Sequence, residues 1–243
     1  MYKIYRFLNR LPDVSPDQFT SCWRKNYADA IVKAASGFPG LLKYAQDVCI
    51  PADSPIENAP PVAIDGIDEF WFKDAGAAEL FFVSDVYLKT ILPVENTFID
   101  RQVSTTACGS LHVKWHRQAN RKENPVKVII QVAKKASLTQ EEFRHHWLEV
   151  HTALALNGPT TRKHIQRGEY CPSDMLPLGG FNPNSCDGVG AVSFDSIDDL
   201  QAEFSADYYR DTLAVDEKRF TNPDLSRVSL VNEQVLLVSG WTD

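Results

Sequence analysis

The chain is short of positive charge: 25 Lys and Arg stand against 32 Asp and Glu in 243 residues, a net charge of −7. With no basic stripe to follow a phosphate backbone, nucleic acid is not an expected partner. The one dense basic stretch, "KWHRQANRK", reads as a solvated linker. Long apolar runs are missing too. No window approaches the roughly 18 apolar residues of a membrane span, and the opening "MYKIYRFLNRLPDVS" lacks an apolar h-region. A soluble, cytoplasmic protein is the expectation. Five cysteines form an odd set without a C-x-x-C spacing, so free thiols are expected rather than a disulfide framework or a zinc site. G-x-G-x-x-G, P-loop, G-x-S-x-G and H-E-x-x-H motifs are all absent, which leaves nucleotide, hydrolase and zinc-protease readings without support.

What is present is a duplication. "QFTSCWRKNY" returns as "EFRHHWLEVH": Phe19, Trp23 and Tyr27 recur as Phe143, Trp147 and His151, at an offset of 124. Downstream, "DGIDEFWFKD" faces "DGVGAVSFDS" at an offset of 122, and the pairs Phe82/Phe204, Glu95/Glu217 and Phe98/Phe220 keep that register. Each copy opens on an alternating apolar run ("MYKIYRFL", "VKVIIQVA"), the mark of a strand. A helix follows, with Ser15 and Thr139 as N-cap candidates, Pro16 at the first helical position of one copy and a Glu at the third of the other. "GLLKYAQDVCI" and "RKHIQRGEYC" read as second strands, "DEFWFKD" and "GVGAVSFDS" as third strands, then more helix and a closing strand. The order βαββαβ is the ferredoxin-like unit. Such a unit leaves one sheet face bare, and two copies in one chain can cover each other. The expected fold is α+β, two repeats over 1–118 and 119–243 fused into one barrel.

The repeated Phe-x3-Trp-x3-His/Tyr helix, with Asp-Gly ahead of the third strand and an aromatic run and acidic short helix after it, resembles the EthD domain of the dimeric α+β barrel superfamily. The resemblance covers nearly the whole chain, once per half. Members usually pair as single-domain chains, so this chain looks like that dimer fused. The resemblance implies a substrate cavity between helix and sheet, and a cofactor-free lyase, dehydratase, cyclase or isomerase acting on an aromatic, lactone or polyketide-like compound. Other superfamily members bind haem or act as oxygenases, so the fold does not fix the reaction.

Helical geometry sorts the histidines. At about 100° per residue, Phe143, Val150, Leu154 and His151 all fall within about 60° of Trp147, on one apolar stripe. His145 falls on the solvent side beside Glu149, and His146 on the flank. Glu142-x-x-His145 has a metal-site spacing but stands alone on the wet face, and no metal is expected. His151 is either a core-edge histidine satisfied by one hydrogen bond or a proton carrier near working pH. Tyr27, its counterpart, is either structural or a donor to a substrate oxygen. Trp23, Tyr44 and His164 could line the same cavities, although strand alternation leaves the face of Tyr44 and His164 open. Asp65 and Asp187 read as turn residues, and His112 and His116 as linker surface.

The reading that follows is an enzyme moving protons on a small apolar or aromatic substrate without a cofactor. His151 and His146, with Tyr27 in the other half, are the catalytic candidates. Phe143, Trp147, His164, Trp23 and Tyr44 are the substrate-binding ones. A monooxygenase, cofactor-free or haem-dependent, and a non-catalytic ligand binder are the alternatives. Because both flank and stripe imidazoles belong to the second copy, one competent site is expected there, with the first copy as scaffold. A barrel closed within the chain needs no second subunit, so a monomer, or a dimer through another surface, is expected.

Overall fold

The computed structural model describes residues 1–51, 60–117 and 125–239. The expected repeat boundary at 118/119 lies outside the described residues. In the first copy, β1 (Tyr2–Leu8) leads into a helix, α1, that runs from residue 16 to 35. β2 (Leu41–Cys49), β3 (Gly66–Phe72), α2 (Ala75–Phe82), α3 (residues 87–95), β4 (Thr105–Ser110) and β5 (His112–His116) complete it. The second copy repeats the order: β6 (Val126–Val132), α4 (residues 140–157), a single turn α5 (Thr161–His164), β7 (Ile165–Pro172), a short β8 (Asn182–Pro183), β9 (Gly188–Phe194), α6 (Ile197–Phe204), α7 (residues 209–220) and β10 (Arg227–Val238). The second strand of this copy starts later than the sequence suggests, because residues 161–164 coil into α5 first.

Among the described residues, ten strands form one sheet in the order β5-β7-β9-β6-β10-β2-β3-β1-β4-β8. β10 bonds β6 through residues 227–231 and β2 through residues 231–238, so one long strand belongs to both copies. β4 and β5, parted by Leu111 alone, do the same job in reverse, pairing with β1 and β7. The sheet therefore closes into a barrel within a single chain, and neither copy keeps a bare face.

Inside the barrel, Tyr5, Ile67, Ile129, Val189 and Val231 pack together. Beside them lies a buried ionic ring. Lys127 reaches Asp47 and Glu69 at 2.8 Å and Glu233 at 2.7 Å, while Lys3 joins Glu69 to Glu169. Burial alone would raise the Glu69 carboxyl, but the Lys127 and Lys3 ammoniums outweigh it and hold it at about 2.

The helices cover the outer face. Ser15 and Thr139 each close a capping box, with Gln18 and Glu142. Four π-turns recur at matching places: Trp23–Tyr27, Tyr87–Ile91, His146–His151 and Tyr209–Leu213. They rotate the stripe expected from an ideal helix. Val150 stays 38% exposed and Leu148 is buried in its stead. The Asp-Gly pairs are more than turns. Asp65 and Asp187 accept the backbone N–H of Arg10 and Lys134, both at 2.8 Å. Gly66 and Gly188 lie directly under the rings of Trp23 and Trp147, where a Cβ would collide with the indole.

Candidate functional site

The two copies use the space between helix and sheet in opposite ways. In the first it is filled. Arg6 lies fully buried there, its Nη1 donating to Glu95 at 2.7 Å and to the Tyr27 hydroxyl at 3.2 Å, and its Nη2 to Tyr87 at 3.1 Å. Arg101 holds the other Glu95 oxygen at 2.6 Å. Tyr44 and the Trp23 indole both donate to Asp68 at 2.8 Å. Burial pushes the Asp68 carboxyl up to about 7 in spite of these donors. The loop from the second copy seals the outside, with Phe181 stacked 4.3 Å from the Arg6 guanidinium.

In the second copy the same space is a cavity of about 370 Å³. Smaller residues make it. Ile130 stands for Arg6, Ala155 for Ile31, Gly190 for Asp68 and Val192 for Phe70, and all four line the cavity. Trp147, Phe204 and Phe220 supply aromatic wall, and the polar lining includes His151, Glu203, Tyr209, Arg210, Glu217 and Lys218.

One carboxylate organises the histidines. Asp216, only 2% exposed, accepts from His151 Nδ1 at 3.1 Å and from His146 Nε2 at 3.0 Å. In an ideal α-helix residues five apart point different ways. The π-turn over His146–His151 hydrogen-bonds at that spacing and brings both rings to Asp216. The bond from His151, with that from His146 beside it, holds the Asp216 carboxyl below its ordinary value. With Nδ1 engaged, His151 Nε2 is the free ring nitrogen; it lies 4.0 Å from Glu217 Oε1. Glu217 also accepts from the Tyr209 hydroxyl at 3.2 Å. Burial raises its carboxyl. In the first copy Cys22, Tyr27 and Val94 stand where His146, His151 and Asp216 stand here.

Of the residues singled out in the sequence, Trp147 and His151 line the cavity. His146 sits behind His151, its side chain 25% exposed and its ring 4.9 Å from Phe220. Phe143 backs Trp147 at 5.3 Å, in the core behind the wall. His164 ends α5 instead of lying on a strand, and donates from Nδ1 to Glu203 at 3.3 Å. Trp23, Tyr27 and Tyr44 are packed solid in the first copy, where burial holds both phenols far above their ordinary value. Asp216, Glu217, Glu203 and Tyr209 escaped sequence reasoning. The signal was there: Glu95/Glu217 matched at 122, while the arginine partners Arg6 and Arg101 gave way to Ile130 and Pro223.

All five cysteines are free thiols. Among the described residues no helix is long and apolar enough to cross a membrane.

The EthD domain family matches the chain twice, over residues 11–102 and 135–224. No curated protein sequence matches it. Among solved structures, a provisionally assigned monooxygenase from Lactobacillus acidophilus is similar at a TM-score of 0.57 and 13% identity, covering 98% of this chain and 96% of that one. A second such protein, from Fusobacterium nucleatum, gives 0.61 at 11%, covering 98% and 93%. An anthrone oxidase-like protein gives 0.60 at 9%, covering 99% and 96%. At these identities the likeness is one of fold.

Proposed function

Because the chain belongs to the EthD domain family, in two fused copies, we propose that it is an enzyme whose second copy moves protons on a small aromatic compound. The observation that carries this reading is His151, which gives Nδ1 to Asp216 and keeps Nε2 free at the cavity beside Glu217. An aspartate on Nδ1 fixes the tautomer and supports the imidazolium that forms when Nε2 takes a proton. Glu217, raised by burial, keeps a proton to higher pH than an ordinary carboxyl and serves as the acid.

The chemistry follows from this pair. His151 Nε2 removes a proton from a ring carbon conjugated with a ring carbonyl, either next to it or across the ring, and the electron pair delocalises onto the carbonyl oxygen. Glu217 then protonates either a neighbouring hydroxyl, which leaves as water while a C=C bond forms, or a different carbon of the ring system. The first outcome is a dehydration and the second an isomerisation. An apolar cavity of about 150 Å³ takes up benzene, so 370 Å³ suits two or three fused rings. A haem, with four pyrroles around its iron, does not fit this space.

The likeness to monooxygenase and anthrone oxidase-like proteins supports a second reading, in which the carbanion formed at His151 gives its electron pair to dioxygen, the new C–O bond and a proton make a hydroperoxide, and loss of water leaves a carbonyl. Both readings share the first proton transfer. Anthrone, three fused rings whose central ring holds an acidic CH₂ across from the carbonyl and conjugated with it through the flanking rings, is the probe. In D₂O without oxygen, His151-dependent deuterium exchange at that carbon supports proton transfer, and oxygen uptake on admitting air selects the oxygenase. No exchange above the buffer rate under either condition would count against both.

A further inference from the structure

Among the charged side chains on the cavity wall that take no part in that chemistry, Glu203 is the buried one, while Arg210 and Lys218 are exposed. Glu203, at the end of α6, lines the cavity and is 3% exposed. Its Oε1 accepts from the Thr161 hydroxyl at 2.8 Å and its Oε2 from His164 Nδ1 at 3.3 Å. Both partners come from the single turn α5 and are buried.

The first copy puts Phe81 at this position, packed 5.2 Å from Phe38 and 5.6 Å from Phe72. A phenylalanine in a filled core has thus become a carboxylate on an open cavity. Burying a carboxylate among apolar side chains is unfavourable unless its lone pairs are satisfied. A carboxylate offers about four acceptor sites, and Thr161 and His164 use two. They fix its orientation and leave it capacity for a donor from the cavity.

We propose that Glu203 is a second recognition point of the cavity and takes a hydroxyl donor of the ligand. The ligand is then a hydroxylated aromatic of two or three fused rings, with a hydroxyl on Glu203 and its reactive carbon at His151 and Glu217. This rests on the cavity being the substrate site, and does not depend on His151 being the base. A site built to accept a hydroxyl discriminates strongly against the analogue without one.

Naphthalene and 2-naphthol, compared by equilibrium dialysis, test it. The wild-type protein should bind 2-naphthol at least about tenfold more tightly. Glu203→Leu should abolish the preference while naphthalene still binds, and the isosteric Glu203→Gln, should the Leu variant not fold, should cut it several-fold. Glu149→Gln, which removes a solvent-facing carboxylate of α4 that does not line the cavity, should keep it. A preference that survives both Glu203 substitutions, is lost in Glu149→Gln, or is absent from the wild type overturns the proposal. If neither compound binds the wild-type protein, the cavity itself is not an aromatic site, and the functional reading falls with this one.

Discussion

Glu95 and Glu217 sit at matched positions of the two copies in opposite electrostatic settings. Glu95 is fully buried between Arg6 and Arg101. Among the described residues Glu217 has no Arg or Lys at ion-pair distance, and contacts Tyr209 and His151 at the edge of a cavity. The same carboxylate is a structural anion in one half and a candidate acid in the other.

That difference gives the two carboxylates of the second copy opposite pH signatures. Glu217 is raised by burial, so its contribution is stabilising below the ordinary Glu value of about 4.3 and is lost as pH rises through its folded value. Asp216 is lowered by the bond from His151, so its contribution is present above the ordinary Asp value of about 3.9 and is lost as pH falls through its folded value. Urea unfolding against pH should therefore show Glu217→Gln gaining on the wild type as pH rises above 5, roughly. Asp216→Asn should be less stable than the wild type at pH 7, with the gap closing toward about pH 3. Parallel curves for all three proteins would mean neither carboxyl is shifted.

His146 touches Asp216 and does not line the cavity. It positions the carboxylate that positions His151. Removing such a partner typically costs 10–100-fold, so His146→Ala should lower kcat by about that factor with little change in KM. The ¹⁵N spectrum of His151 should lose its Nδ1–H signature, and His146→Gln, which can still donate to Asp216, should restore most of it. An unchanged His151 tautomer in the Ala variant would leave His146 with packing alone.

The cavity exists because Val192 and Gly190 replace Phe70 and Asp68. Val192→Phe should fill it with the residue the first copy uses there. Binding of 2-naphthol should fall more than tenfold, with stability unchanged within about 1.5 kcal/mol. Undiminished binding would place the ligand elsewhere.

In the first copy the reverse holds. Arg6→Ile leaves buried Glu95 with Arg101 as its remaining ion-pair partner, beside the Tyr27 and Tyr87 hydroxyls, and should destabilise by about 3–5 kcal/mol in denaturant melts. Adding Glu95→Gln should recover part of that loss, because the uncompensated charge goes with it. Additive losses in the double variant would contradict a coupled pair.

The repeat made the architecture legible. Matched Phe-x3-Trp helices and capping residues at Ser15 and Thr139 implied two copies, and the bare sheet face of each βαββαβ unit implied that they cover each other. Strand sharing by β10 and by β4–β5 carries no local signal, since it depends on register across the barrel. The site was half legible. His151 and Trp147 stood out as a stripe, but the π-turn that sets His146 against Asp216 has no sequence signature and defeated the ideal helical wheel. Glu203 was not singled out, and Glu217 stood only as the repeat partner of Glu95. Only the loss of bulk opposite them, at Ile130, Gly190 and Val192, marks the hollow they face.

The central claim is that the competent site belongs to the second copy. A matched pair of variants tests it most directly: Tyr27→Phe and His151→Gln, with folding checked by circular dichroism and deuterium exchange into anthrone as the readout. The account predicts that Tyr27→Phe exchanges within about twofold of the wild type, and that His151→Gln falls roughly 10²–10⁴-fold. Loss of exchange in Tyr27→Phe with retention in His151→Gln would contradict it and move the site to the first copy.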